Sequence, residues 1–82
     1  MIKVLFFGQL KDQLQSAGIN MHSEASQSVA ALLQKIIEDQ PQWAQDLQNE
    51  RLLVAVDQVM AQPESLVSPT AEVAFFPPVT GG

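Results

Sequence analysis

The chain has 82 residues, 46% of them hydrophobic, which suits a single small domain with a modest core. Nine acidic and four basic side chains give a net charge of −5, and the four cations are scattered, so nucleic acid is an unfavourable partner. The absence of cysteine excludes thiolate nucleophiles and Cys-based metal sites and fits a cytoplasmic setting, and no apolar run is long enough to predict a membrane partner.

Residues 2–7 form the first predicted element, a strand of β-branched and aromatic residues that ends at Gly8. It is nearly apolar on both faces, so we expect it in the interior of a sheet. Residues 9–15 favour a short helical turn that ends before Gly18. Residues 19–23 predict a second strand, with polar side chains that indicate an exposed position.

The clearest element is an amphipathic helix whose apolar residues recur at i, i+3, i+4, i+7 and i+8. Ser28 stands at its N-cap position, and Pro41 ends it near Gln40. The same proline suits the first turn of a second short helix over residues 42–47, anchored by Trp43. The apolar stripe consists of Val29, Leu32, Leu33, Ile36 and Ile37.

Two more strands are predicted at residues 52–56 and 72–76, with prolines and serines marking a loop between them. The element order is therefore β-β-α-β-β, which places the chain in the α+β class. We assign residues 1–76 to the folded domain and residues 77–82 to an extended tail.

Alternation of side chains along the strands divides the sheet into two faces. A charged residue in each of three strands (Lys3, Arg51 or Glu72) marks the face that points away from the helix. That outer face still carries several apolar side chains, which favours a protein partner; a cover of loops is the alternative. Its apolar residues are Leu5, Phe7, Leu53, Ala55, Ala74 and Phe76, whereas the inner face carries Ile2, Val4, Phe6, Leu52, Val54, Val56, Val73 and Phe75.

The sequence shows none of the familiar catalytic or metal-binding arrangements. His22 is its one histidine, the carboxylates are dispersed among polar residues, and the glycines are too far apart to form a phosphate-binding loop. We therefore expect no metal site and no enzyme activity of the chain by itself.

The C-terminal segment, Phe-Phe-Pro-Pro-Val-Thr-Gly-Gly, is the most informative part of the sequence. Pro77 and Pro78 lack N–H donors, so they end the last strand and favour an extended tail. Gly81 and Gly82 lack Cβ atoms, which suits passage through a narrow channel and leaves the terminal carboxyl carbon open to attack. A frayed chain end is the alternative.

With this ending and its opening strand, the chain resembles the MoaD family, the small sulfur-carrying subunits of molybdopterin synthase. The resemblance is carried by residues 1–7 and 72–82 and, more loosely, by the helix, Trp43 and residues 52–56. It implies a ubiquitin-like β-grasp fold, in which a mixed sheet packs on one main helix. Asp57 stands where the family often has Asn, which bears on a local turn rather than on function.

The resemblance also implies a role for the tail in molybdenum cofactor biosynthesis. An ATP-dependent, E1-like adenylyltransferase of the MoeB type would convert Gly82 to a transient glycyl-adenylate, and sulfur from a donor would displace AMP to leave a thiocarboxylate. The tail would then enter the large subunit of molybdopterin synthase and donate sulfur to a pyranopterin precursor. No cofactor would stay bound to the chain. The predicted tail-threading residues are Pro77, Pro78, Val79, Thr80 and Gly81, and the predicted interface residues are Leu5, Phe7, Leu53 and Phe76.

Three other functions stay open on the residues alone. The first is a β-grasp sulfur carrier for thiamine or another thiolated product, with the same fold and ending. The second is a ubiquitin-like modifier, in which Gly82 forms an isopeptide bond. The third is a non-catalytic interaction module that uses the apolar sheet face and leaves the tail idle.

Overall fold

The computed structural model describes residues 1–78, which contain seven strands and three α-helices. A short 3-10 turn at Pro41–Trp43 leads into the last helix. No helix in this range is long and apolar enough to cross a membrane. The elements are β1 (Ile2–Phe6), α1 (Gly8–Leu14), β2 (Gly18–Met21), β3 (Gln27–Ser28), α2 (Val29–Asp39), α3 (Ala44–Leu47), β4 (Leu53–Val56), β5 (Val59–Met60), β6 (Leu66–Val67) and β7 (Glu72–Phe76).

Five strands form the main sheet, in the order β2-β1-β7-β4-β5. The central pair, β1 and β7, is parallel and the other neighbours are antiparallel, so the sheet is mixed. The interior position of β1 confirms the prediction from its apolar sequence. Strands β3 and β6 pair with each other in a separate two-stranded sheet. The sequence does not predict β3, β5 or β6, because each has only two residues and shows no alternation.

The core lies between α2 and the inner face of the main sheet. Every inner-face residue of β1 and β7, together with Val54, is at most 7% exposed. The ring of Phe6 meets Trp43 edge-on at 5.4 Å between centroids and stacks with Phe75 at 6.3 Å. Such aromatic pairs add roughly 0.5–1.5 kcal/mol beyond the burial of their area. Burial therefore confirms the predicted division of these strands into two faces, and Trp43 is the anchor of its segment.

Helix α2 begins as its sequence predicts, since the Oγ of Ser28 accepts a hydrogen bond from the N–H of Ala31 at 3.0 Å. Its buried residues are Val29, Leu32 and Ile36. Leu33 and Ile37, which the periodicity places in the same stripe, are only partly buried at the border of the core. On their side, α2 is separated from β4 and β5 by an open groove of about 820 Å³.

A tight hairpin turn joins β4 to β5 through Asp57 and Gln58. Both residues have left-handed backbone conformations, with φ values of 50° and 68°. The Oδ1 of Asp57 accepts a hydrogen bond from the N–H of Glu72 at 2.9 Å, and the N–H of Asp57 donates to the carbonyl oxygen of Glu72 at 2.8 Å. Aspartate in place of asparagine therefore leaves the turn formed and ties it to the start of β7.

Candidate functional site

The candidate site begins with the outer face, the side of the five-stranded sheet opposite α2. The register of β1, β7 and β4 arranges its residues in three rows across the strands. The first row is charged, the second consists of smaller apolar side chains, and the third is aromatic and aliphatic. These rows are Lys3 with Glu72; Leu5, Ala74 and Ala55; and Phe7, which follows β1, with Phe76 and Leu53.

Of these three rows, the third has the most exposed apolar side chains. The rings of Phe7 and Phe76 stack with centroids 5.1 Å apart and planes inclined by 12°. Phe7 is 42% exposed, and Leu53, which pairs with Phe76 in the antiparallel register, is 40% exposed. Large apolar side chains this open to water are typical of a surface that binds another protein.

The side chains of the second row are less exposed to solvent. Leu5 and Ala74 are half-buried, and Ala55 is only 8% exposed, although the sequence places it on the bare face. Ala55 lies between Ala74 and Met60 in the registers of β4, so its single methyl group has little surface left. Among the three rows the open apolar surface is therefore concentrated in the third, whereas Met60, which pairs with Ala55 from the edge strand β5, is 62% exposed.

The third row lies where the C-terminal tail leaves the sheet. We call the segment Phe76–Pro78 the root of the tail. Strand β7 ends at Phe76, directly before the two prolines, as their missing N–H groups predict. The N–H of Phe7 donates to the carbonyl oxygen of Phe75 at 3.1 Å, which extends the pairing beyond the end of β1. Gly8 has a φ of +60°, and a Cβ atom there would come within 3.1 Å of the Cγ of Pro77. The close approach of Gly8 and Pro77 had no separate signal in the sequence.

The structure thus brings all four predicted interface residues to the outer face, beside the start of the tail. Their contact with a partner stays a prediction, as do the roles of the tail residues. Pro77 and Pro78 are half-buried next to the sheet. The remaining predicted site residues, Val79, Thr80, Gly81 and Gly82, lie outside the described residues.

Charged groups in the described part of the chain are at its surface. No three His, Asp or Glu side chains among residues 1–78 are grouped so that they could hold a metal ion. The one contact within this range between a basic and an acidic side chain joins His22 to Glu24 at 3.7 Å, and both side chains are largely exposed. Such exposed pairs contribute little to stability or to a binding site. The exposed apolar surface at the root of the tail is therefore the candidate site within residues 1–78.

Comparison with known proteins identifies the family. The sequence pattern of the ThiS family matches residues 4–82. The chain belongs to this family. It is 38% identical to the molybdopterin synthase sulfur carrier subunit of Escherichia coli (strain K12) and 35% identical to that of Haemophilus influenzae, and each alignment covers 100% of both proteins. This full-length similarity confirms the resemblance predicted from the two ends of the sequence.

The fold of this ThiS-family chain is also found in solved structures. The crystal structure of SAMP1 from Haloferax volcanii superimposes with a TM-score of 0.80 at 20% identity, covering 99% of this chain and 98% of that one. At this level of identity the similarity concerns the fold alone. It confirms the predicted α+β architecture, a ubiquitin-like β-grasp with a mixed sheet packed on one main helix.

Proposed function

We propose that the chain is the sulfur-carrier subunit of molybdopterin synthase and that Gly82 carries the sulfur. The observation that supports this most directly is the full-length similarity to two sulfur carrier subunits of that enzyme. The exposed Phe7, Phe76 and Leu53 at the root of the tail agree with it, because they provide a docking surface next to the reacting chain end. By itself, the chain is then a substrate and subunit rather than an enzyme.

The proposed chemistry starts at the C-terminal carboxylate. A carboxylate is a poor electrophile, so the Gly82 oxygen first attacks the α-phosphorus of ATP on an adenylyltransferase and releases pyrophosphate. Hydrosulfide released by a donor then attacks the carbonyl carbon of the acyl-adenylate and displaces AMP, leaving a thiocarboxylate and a proton. On the large subunit, the thiocarboxylate sulfur attacks a carbon of the pyranopterin precursor and displaces an oxygen leaving group. Water then cleaves the acyl–sulfur bond, which leaves sulfur on the product and restores the Gly82 carboxylate. The acids and bases for these steps belong to the partner enzymes.

Mass spectrometry of the chain purified from cells that make molybdopterin tests this proposal. A fraction should be heavier by about 16 Da, because one oxygen is replaced by sulfur, and fragmentation should place the change on Gly82. The same chain from cells without the adenylyltransferase is the matched control and should lack the heavier species. A chain that stays unmodified in producing cells would contradict the proposal.

Mass spectrometry, together with molybdopterin synthesis in cells that lack the chain, separates the alternative functions. A protein modifier would appear as a larger species, joined through Gly82 to a lysine of another protein. A sulfur carrier for thiamine would carry the same thiocarboxylate, but its loss would leave molybdopterin synthesis intact. A non-catalytic interaction module would bind its partner without any change of mass.

A further inference from the structure

We infer that Phe7 is a positioning residue for the C-terminal tail: its ring and backbone fix the direction in which the tail leaves the domain. The inference rests on the proposed function, since it concerns how Gly82 reaches the partner. It assigns Phe7 a role within the free chain, separate from any contact that its exposed ring makes with another protein.

Three consecutive residues, Phe75 near the end of β7 and Phe76 and Pro77 of the tail root, each meet the Phe7–Gly8 segment. The carbonyl oxygen of Phe75 accepts the hydrogen bond from the N–H of Phe7 at 3.1 Å. The ring of Phe76 stacks on that of Phe7 with centroids 5.1 Å apart. The ring of Pro77 lies so close to Gly8 that a Cβ atom there would be 3.1 Å from its Cγ. We call this set of contacts the root clamp.

The root clamp acts where the backbone is already restricted. Pro77 has a fixed φ, and a residue that precedes proline is confined to extended conformations, so Phe76 and Pro77 have few torsional alternatives. The stacked ring of Phe7 holds the Phe76 side chain and thereby favours some of the remaining backbone conformations over others. Rotation of Phe76 or Pro77 away from this geometry would swing the whole tail, because the tail extends from this point.

A fixed direction favours entry of the tail into a partner's channel. Binding costs free energy for every degree of freedom that it freezes, so a tail that is already aimed loses less on entry. Because the tail is joined to the docking face, its effective concentration at the partner's channel depends on how often it points towards that channel. Loss of the Phe7 ring should therefore weaken engagement of the tail even where the rest of the outer face still docks.

A thermodynamic cycle distinguishes positioning from simple contact with the partner. Its first change is Phe7→Leu, which keeps an apolar side chain and removes the stacked ring. Its second is deletion of residues 79–82, which leaves in place every strand, helix and buried core residue of the described part, residues 1–78. Affinity for the large subunit of molybdopterin synthase is measured by calorimetry for all four chains, and thermal unfolding checks that each is folded.

If Phe7 positions the tail, Phe7→Leu should weaken binding of the full chain by about tenfold but that of the shortened chain by less than about threefold. Leu5→Ala, on the same face but away from the tail root, is the control, and its effect should be equal in both backgrounds. Phe7→Tyr keeps a ring that can stack and should restore most of the full-chain affinity.

Equal effects of Phe7→Leu with and without the tail would overturn the inference and leave Phe7 as a contact residue only. In that case the wild-type chain still binds, so the proposed function stands. Failure of the wild-type chain to bind the large subunit would overturn the proposed function, and the inference with it. Sulfur transfer at saturating large subunit adds a second measurement, because a misdirected tail lowers the rate even when docking is complete.

Discussion

At the scale of single residues, the β4–β5 turn shows how local strain is tolerated where a tertiary contact stabilises it. Asp57 and Gln58 both adopt left-handed conformations, which cost non-glycine residues roughly 1–2 kcal/mol each. Asp57 offsets this cost through its two hydrogen bonds to Glu72. Gln58 makes no such hydrogen bond among the described residues. Its conformation is thus set by the two-residue hairpin.

We therefore expect Gln58→Gly to stabilise the domain by about 0.5–1 kcal/mol, the relief of left-handed strain being partly offset by greater freedom of the unfolded chain. Gln48→Gly is the matched control: Gln48 has a φ of −87°, so glycine brings no relief there and should destabilise the domain slightly. Chemical unfolding of the two variants measures both effects. Equal destabilisation by both would show that the turn at Gln58 is not strained in solution.

At the scale of whole elements, the sequence predicts best where one pattern runs for several residues. The strands at 2–7, 52–56 and 72–76 agree with β1, β4 and β7 to within one residue at either end, because alternation and the prolines define them. The two-residue strands leave no such pattern and are set by tertiary pairing, as in the contact of Ser28 with Leu66. Leu33 and Ile37 fit the helical period but are partly exposed, since periodicity does not tell how far the sheet extends beneath a helix.

For the candidate site, too, some features are predicted from the sequence and others are seen only in the structure. The outer position of Phe7, Phe76 and Leu53 follows from strand alternation, which the sequence contains. The stacking of the two rings and the contact of Pro77 with Gly8 depend on the parallel pairing of β1 with β7, which joins the two ends of the chain. No local pattern encodes such a long-range pairing.

Strand β7 gives an element-scale prediction because neighbouring phenylalanines face opposite ways. Phe75 is 1% exposed and stacks on Phe6 in the core, so Phe75→Ala should cost about 3–5 kcal/mol of unfolding free energy. Phe76 is half-buried on the outer face, so Phe76→Ala should cost much less but weaken binding to the large subunit by about 1–3 kcal/mol. Thermal unfolding of the isolated variants and their affinities decide the matter. Unfolding by Phe76→Ala with unchanged binding by the folded fraction would contradict this assignment.

At the scale of the whole molecule, folding and the proposed chemistry occupy separate parts of the chain. Within residues 1–78, the buried core residues lie between Ile2 and Phe75, whereas the proposed sulfur-carrying residue, Gly82, follows them in the sequence. A small domain has a free energy of unfolding of only about 5–15 kcal/mol, so chemical modification of a core residue would remove much of that stability. Chemistry at a residue that follows the core in the sequence avoids this loss. This separation also lets the outer face dock while the tail reacts.

The separation predicts that deletion of Gly82 abolishes sulfur transfer and leaves the unfolding temperature unchanged. Without Gly82 the terminal carboxylate belongs to Gly81, one residue or roughly 3.5 Å short of its position in the partner enzymes. A displacement of even about 1 Å at a reacting centre can cost a hundredfold in rate, so neither adenylation nor transfer should proceed measurably. Gly81→Ala is the companion variant: it keeps the reacting carboxylate but adds a Cβ atom to the tail, and should slow both steps without abolishing them. Molybdopterin synthesis in a reconstituted assay, with unfolding measured alongside, tests the pair. Full synthesis by the shortened chain would remove Gly82 from the mechanism, and wild-type rates for Gly81→Ala would show that the partner's channel has room for a side chain.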